Sequence, residues 1–264
     1  MNQPFVAGVL DPRGPVAASE YQLLQNATVI MLAVIVPVIV MTLAFAWWFR
    51  SGNRRAKRMP DWDYAGPLEV VTWTIPLLVI LFLGGMAWIA SHELDPAKPL
   101  PSNLPPLEIQ VVSLDWKWLF IYPGADVAAV NHLVVPAGRP LRLRLTSATV
   151  MNSFFVPQLG SQIYTMAGMT TTLYLQADRP GTLAGMSAQF SGDGFSDMRF
   201  TVDAVAAADF DAWLARTRAS GASLDDASYA TLAQPGTSAP GDFHLATPQL
   251  FDHVLAASAP HSHH

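Results

Sequence analysis

Residues 27–49, ATVIMLAVIVPVIVMTLAFAWWF, and residues 70–90, VVTWTIPLLVILFLGGMAWIA, contain no Asp, Glu, Lys or Arg. A spanning helix needs about 20 apolar residues at about 1.5 Å of rise each, so both runs are long enough to cross a bilayer. Pro37 and Pro76 fit this reading, because neighbouring helices satisfy the carbonyls that proline frees in a membrane. Trp47, Trp48, Trp73 and Trp88 lie at or towards the ends, where interfacial aromatics collect. Gly84 and Gly85 allow a partner helix to approach closely. The expectation is a hairpin of two transmembrane helices, about 27–49 and 69–90.

Working outward, the connector 50–68 carries Arg50, Arg54, Arg55, Lys57 and Arg58 against Asp61 and Asp63. The positive-inside rule puts such a loop in the cytoplasm and both termini on the other, periplasmic side. Residues 1–26 lack a basic n-region, and the apolar run begins too late and runs too long for a signal peptide. They read as a short periplasmic tail before a retained helix. The whole chain agrees with a membrane protein: of 264 residues, 51% are hydrophobic and 13% charged, against about 25% charged in soluble domains. That composition excludes intrinsic disorder, and a net charge of −5 gives no sign of a nucleic-acid partner. With no cysteine, the chain supplies no disulfide, thiolate metal ligand or cysteine nucleophile.

The pattern changes after a Pro-rich linker at 91–106. LEIQVVSLDWKWLFIYP, NHLVVPAG, PLRLRLTSATV, TTTLYLQAD and DMRFTVDAVA are short stretches separated by Gly and Pro turns. Leu141, Leu143 and Leu145 alternate with Arg142 and Arg144, the period of a half-buried strand. A Greek-key sandwich or barrel is expected over 107–205. Residues 206–264 read as a helical extension, with Phe210, Trp213 and Leu214 on one face and shorter helices at 223–234 and 246–257.

Three segments carry more than a fold: VVSLDWKWLFIYP (111–123), VMNSFFVPQLGSQIYTMAGM (150–169) and GMSAQFSGDGFSDM (185–198). Following a two-helix hairpin, they make the chain resemble subunit II of haem–copper terminal oxidases over nearly its whole length. The resemblance implies a membrane hairpin followed by a cupredoxin-like Greek-key domain. In the cytochrome c oxidase branch that domain holds a dinuclear copper centre, ligated from a His-Ser-Phe stretch and a Cys-x-Glu-x-Cys-x-x-x-His-x-x-Met loop. Soft thiolates suit that centre, with imidazoles and a thioether completing it. In this chain Asn152 stands at the first His position, Ser187 and Ser191 at the two Cys positions, Gln189 at the Glu position and Phe195 at the second His position. Only Met198 remains of the ligand set.

That pattern resembles the quinol-oxidising, bo-type branch. A soluble cytochrome needs an electron relay in the exposed domain, whereas a lipid-soluble quinol reaches a site inside the membrane. The resemblance implies a proton-pumping complex that oxidises ubiquinol and reduces oxygen to water in a bacterial inner membrane. Haems and the remaining copper then belong to subunit I, this chain binds no cofactor, and no cytochrome c is expected as partner. The implied partners are subunit I, small membrane subunits, lipid and quinone. The rival readings are a membrane-anchored cupredoxin-like module that binds a partner or handles copper, and a cytochrome c oxidase subunit. Relatives in the quinol branch are often lipoproteins anchored through an N-terminal cysteine; this chain has a similar LDPRG segment at 10–14 with no Cys before it.

Individual residues have competing readings. Trp116 and Trp118 match the aromatic electron-entry segment of copper-bearing relatives, or they pack at the interface with subunit I. Glu69 complements the dipole of a helix's first turn, or, as the resemblance implies, marks the cytoplasmic entrance of a proton channel leading into subunit I. Met151, Met166, Met169, Met186 and Met198 are gap-fillers or Cu(I) thioethers. Beyond residue 91 there are fifteen acids and nine bases, an acidic balance that does not distinguish electron donors. His261, His263 and His264 are assigned no function.

Overall fold

The computed structural model describes residues 8–57, 59–219 and 222–258; Arg58 and the terminal histidines lie outside them. Two compact units emerge. The described residues up to Tyr21, with those from Leu94 onward, make one unit, and Gln22–Glu93 the other.

The second unit is dominated by two helices, α1 (Pro15–Trp48), which begins in the first unit, and α2 (Gly66–Glu93). Both are long and apolar enough to cross a membrane. They extend beyond the expected spans, to about 51 and 42 Å at about 1.5 Å per residue, against a hydrocarbon core of about 30 Å. The apolar run accounts for only part of α1. Ahead of it, Ser19–Asn26 (SEYQLLQN) contains no Gly or Pro, and a helix once nucleated propagates through such residues. Pro15 at the first helical position needs no amide partner and has its φ preset.

The other unit is a two-sheet sandwich. One sheet contains β1 (Leu107–Leu114), β2 (Lys117–Tyr122), β3 (Val127–Val130), β5 (Leu141–Ser147), β8 (Thr171–Leu175), β11 (Ser223–Leu224) and β12 (Gly241–Leu245) in the order β11-β12-β3-β2-β1-β5-β8. The second contains β4 (His132–Pro136), β6 (Asn152–Phe155), β7 (Ile163–Thr165), β9 (Gly181–Ser187) and β10 (Arg199–Val205) in the order β4-β10-β9-β6-β7. Parallel pairing of β1 with β5 and of β4 with β10 requires crossovers between the sheets, the Greek-key feature expected. The chain changes sheet at Asn131, whose φ of 53° is one that Asn tolerates better than most residues.

Leu141, Leu143 and Leu145 point into the sandwich as their period predicts. At its centre Trp118 meets Phe154 and Phe200 edge-on at 5.3 and 5.7 Å, and Phe154 stacks on Phe200 at 5.0 Å. Gly185 is the platform for this group, since a Cβ there would run into the Phe200 ring.

The extension after residue 205 differs from its expectation. It contains α3 (Ala207–Ala219), α4 (Asp226–Leu232) and α5 (Leu250–Ala257), but also β11 and β12. β12 prolongs the sheet by pairing antiparallel with β3; five residues bounded by Pro240 and Gly241 on one side are too few to display a period. Phe210 and Trp213 of α3 join the sandwich's main core, and the rest of the extension covers the outer face of the larger sheet. Val112, Leu114, Leu119, Ile121 and Val130 form a second core there with Leu245, Leu250, Phe251 and Val254.

The N-terminal segment also docks on the sandwich. Arg13 N donates to Gln158 O at 2.7 Å, Asp178 N to Arg13 O at 2.8 Å and Ala17 N to Leu159 O at 3.2 Å. Asp11 receives Arg13 Nη2 at 2.7 Å and Gln158 Nε2 at 3.0 Å, and Ser161 donates to Glu20. Gly14 passes so close to the Gln176 carbonyl that no side chain fits. The LDPRG segment is thus a strap held mainly through its backbone.

Phe251 is fully buried, so Phe251→Ala is expected to cost about 3–5 kcal/mol. Denaturant unfolding of the full-length chain measures this; a loss below about 1 kcal/mol would mean that the extension does not share the sandwich's cooperative core.

Candidate functional site

Asn152, at the start of β6, and Ser187, at the end of β9, meet across the second sheet. Ser187 Oγ donates to Asn152 Oδ1 at 3.1 Å, and both residues are buried. The same hydroxyl lies 3.3 Å from Gln189 O, while Asn152 Nδ2 donates to Val150 O at 3.2 Å. Ser187 N donates to Met198 O at 3.0 Å and Met198 N to Phe195 O at 3.1 Å, closing the loop between β9 and β10. Ser191 Oγ approaches Met198 Sδ at 4.0 Å. Phe195 packs edge-on against Phe190, centroids 5.7 Å apart, and Phe190 is exposed. The fold therefore brings Asn152, Ser187, Ser191 and Met198 together, with Gln189 and Phe195 on the same loop.

A dinuclear copper centre does not fit these residues. The two innermost positions bond to each other as neutral amide and hydroxyl, which are weak donors to soft copper. Met198 supplies a single thioether, and its nearest polar side-chain contact is a serine. Among the described residues no group of three or more His, Cys, Asp or Glu is disposed to hold a metal.

Trp116 holds this loop from outside. It is the second residue of the tight β1–β2 turn, where Leu114 pairs with Lys117, and its φ is 65°. A bulky residue in that region costs on the order of 1–3 kcal/mol. Trp116 Nε1 donates to Ser191 O at 3.1 Å, and its ring lies against Gly192 and Gly194. Those contacts offset the strain and set the loop's path.

Trp118 corrects the expectation of an interface aromatic. Its exposure is 0%, so it belongs to the sandwich's own core, whereas Trp116 lies in the turn beyond the sheet's end, where its φ of 65° breaks the strand's alternation. Lys117, between them, went unnoticed in the sequence because it sits in an aromatic run. It is buried, and its Nζ donates at 2.7 Å to both Leu232 O and Gln234 O, capping the C-terminal end of α4. Burial pulls its pKa below the usual lysine value, with nearby Asp115 opposing. A cleft of about 390 Å³ opens beside it, lined also by Ser228, Thr231 and Thr237.

Glu69 lies in the first turn of α2 and is exposed in this chain. Its backbone N donates to Ala65 O at 3.0 Å, and its position satisfies the dipole reading. It is far along the chain from the loop site and belongs to the other unit.

Residues 109–205 match the family model for the periplasmic domain of cytochrome c oxidase subunit II. The chain is 46% identical over 254 residues to cytochrome bo(3) ubiquinol oxidase subunit 2 of Pseudomonas aeruginosa, covering 96% of this chain and 77% of that one. It is 45% identical over 250 residues to ubiquinol oxidase subunit 2 of Acetobacter aceti, covering 94% and 81%. Among solved structures, the periplasmic domain of cytochrome oxidase subunit II from Bradyrhizobium japonicum matches at 21% identity and a TM-score of 0.44, covering 47% of this chain and 100% of that one.

Gly194 has a φ of −93°, so alanine is allowed by the backbone, and the atoms nearest its Cβ would be those of the Trp116 ring. Gly194→Ala is expected to destabilise by about 1–3 kcal/mol through overpacking. Pairing it with Trp116→Ala in a double-mutant cycle should recover most of that cost; strict additivity would contradict the clamp.

Proposed function

The chain belongs to the ubiquinol oxidase subunit 2 family, and from that premise we propose that it is subunit II of a proton-pumping quinol oxidase and has no redox centre of its own. The complex oxidises quinol to quinone and reduces oxygen to water. The observation that carries the second half of the proposal is the Ser187–Asn152 hydrogen bond at 3.1 Å, which consumes the two innermost positions of the loop site. Electrons delivered by quinol within the membrane bypass this domain, so the copper-site frame survives here as structure. Haems and copper reside in subunit I.

The proposed setting is a bacterial inner membrane, with the connector in the cytoplasm and both termini in the periplasm. The connector's concentration of basic residues supports that orientation. The segments on either side of the hairpin belong to one compact unit, which supports only that both hairpin ends share a side. The domain limits proposed are a tail before residue 27, the hairpin to 90, a linker to 106, the cupredoxin-like domain to 205 and the extension beyond.

Trp116 is the proposed contact of the loop site with subunit I. Its ring is only partly covered, and exposed Phe190, Val150 and Met151 stand on neighbouring loops. Buried aromatics commonly anchor such interfaces. Glu69 is the proposed cytoplasmic proton entrance: among the described residues its carboxylate has no ion-pair partner within this chain, leaving it available to a partner subunit.

Co-purification tests the reading. The chain should bring down a large haem-bearing subunit, and the complex should consume oxygen with quinol and without added cytochrome c. A stable chain with no haem partner would favour the free-standing module. For Glu69, Glu69→Ala is expected to lower turnover and protons pumped per electron severalfold at unchanged haem content, with Glu69→Asp retaining most of both. Unchanged pumping in Glu69→Ala would reject the entrance role and leave only the helix-dipole one.

A further inference from the structure

His132 stands directly after Asn131, where the chain changes sheet, with a carboxylate on each side of its ring. Nδ1 lies 3.0 Å from Asp242 Oδ1 and Nε2 lies 3.0 Å from Asp203 Oδ2. Both carboxylates are oriented by further donors: Thr182 Oγ1 to Asp203 Oδ1 at 2.6 Å, and Trp213 Nε1 to Asp242 Oδ2 at 2.8 Å. The bridge joins β4 and β10 of the smaller sheet to β12 of the larger one, and through Trp213 to α3. Two of these elements, β12 and α3, belong to the extension after residue 205.

A neutral imidazole donates through one nitrogen only and presents a lone pair at the other. With a carboxylate at each nitrogen, the neutral ring leaves one close O···N contact repulsive and two carboxylates facing each other across an uncharged group. The imidazolium satisfies both. We propose that Asp203–His132–Asp242 is a proton-dependent latch holding the C-terminal extension on the sandwich, closed while His132 is protonated and loosened when it is neutral.

The groups facing the ring set the direction. The hydrogen bond to Asp242 is the largest influence and raises the His132 pKa; burial opposes it, and Asp203 adds to the rise. For Asp242, burial works upward but is outweighed by the hydrogen bonds from His132 and Trp213, so its pKa falls. From β2, the hydroxyl of Tyr122 donates to Val134 O at 2.8 Å, and burial keeps it protonated far above neutrality. Trp213 of α3 and Thr182 of β9 are uncharged. A raised histidine pKa stabilises the fold fully below the unfolded value of about 6.5, and the contribution is lost as pH rises through the folded value. The Asp242 contribution, from a depressed carboxylate, is lost only as pH falls through its own lowered value. The latch is closed between those limits and opens on the alkaline side.

Without the latch, the extension retains the β12–β3 pairing, the bond from Asn131 Nδ2 to Ser238 O at 2.8 Å, its outer core, and the packing of Phe210 and Trp213 against Tyr122 in the main core. Opening is therefore local. Hydrogen exchange followed by mass spectrometry on the intact complex between about pH 6 and 9, corrected for intrinsic rates, reads it directly. Protection of peptides covering β12 and α3 should fall by up to about tenfold per pH unit above the His132 midpoint, the limit for one linked proton. Protection of β1 and β5 should stay flat. His132→Gln should give low, pH-independent protection of β12 and α3. Asp203→Asn, which leaves the Asp242 contacts in place, should move the fall to lower pH, and it decides the matter if His132→Gln does not assemble. A flat wild-type profile, a wild-type profile retained in His132→Gln, or an unshifted Asp203→Asn profile would each overturn the latch.

Discussion

Phe200 stacks on Phe154 at 5.0 Å while Trp118 meets both rings edge-on, and the loop site hangs from these three side chains. They come from β10, β6 and β2, so the contact ties one sheet to the other. Each also lies two positions from a residue of the site: Trp118 from Trp116, Phe154 from Asn152, Phe200 from Met198. Within β6 the extended backbone puts Asn152 and Phe154 on one face, Met198 leads directly into β10, and Trp116, in the left-handed turn, reaches the loop through its indole bond to Ser191 O. The aromatic anchors therefore set where the site residues stand, whatever those residues are. That separation of frame from side-chain chemistry lets the frame stand with an amide at Asn152 and a hydroxyl at Ser187.

The interior at the loop site must close around buried polar side chains. It does so with neutral groups, the Ser187–Asn152 bond and the backbone pair between Ser187 and Met198, which avoid burying an unpaired charge. The strained Trp116 turn is compensated across the same loop by the indole bond to Ser191 O. Stability and site geometry are thus the same set of contacts here, and a change at Gly194 or Trp116 acts on both.

Much of this was legible in the sequence because it obeys simple periods. Two long uncharged runs announce the hairpin, and Leu141, Leu143 and Leu145 announce a strand with one buried face. Other features carry no local signal. Trp118 reads like Trp116 until the end of the sheet is located. The LDPRG strap is held largely by backbone hydrogen bonds, which depend little on side-chain identity. β12 is too short to show alternation, and its pairing with β3 spans more than a hundred residues of chain. The His132 bridge joins residues that only the folded sheets bring together; a lone histidine in NHLVV gives no indication of two carboxylates.

The central proposal is that this chain has no redox centre of its own. Copper quantitation with optical and electron paramagnetic resonance spectra, on the full-length chain purified apart from its partner subunit and exposed to excess copper, tests that claim most directly. The account predicts that any copper surviving desalting is independent of the loop site, unchanged by Met198→Leu. Stoichiometric retained copper that Met198→Leu abolishes would contradict it, and would mean that the Asn152–Ser187 pair opens to admit a metal.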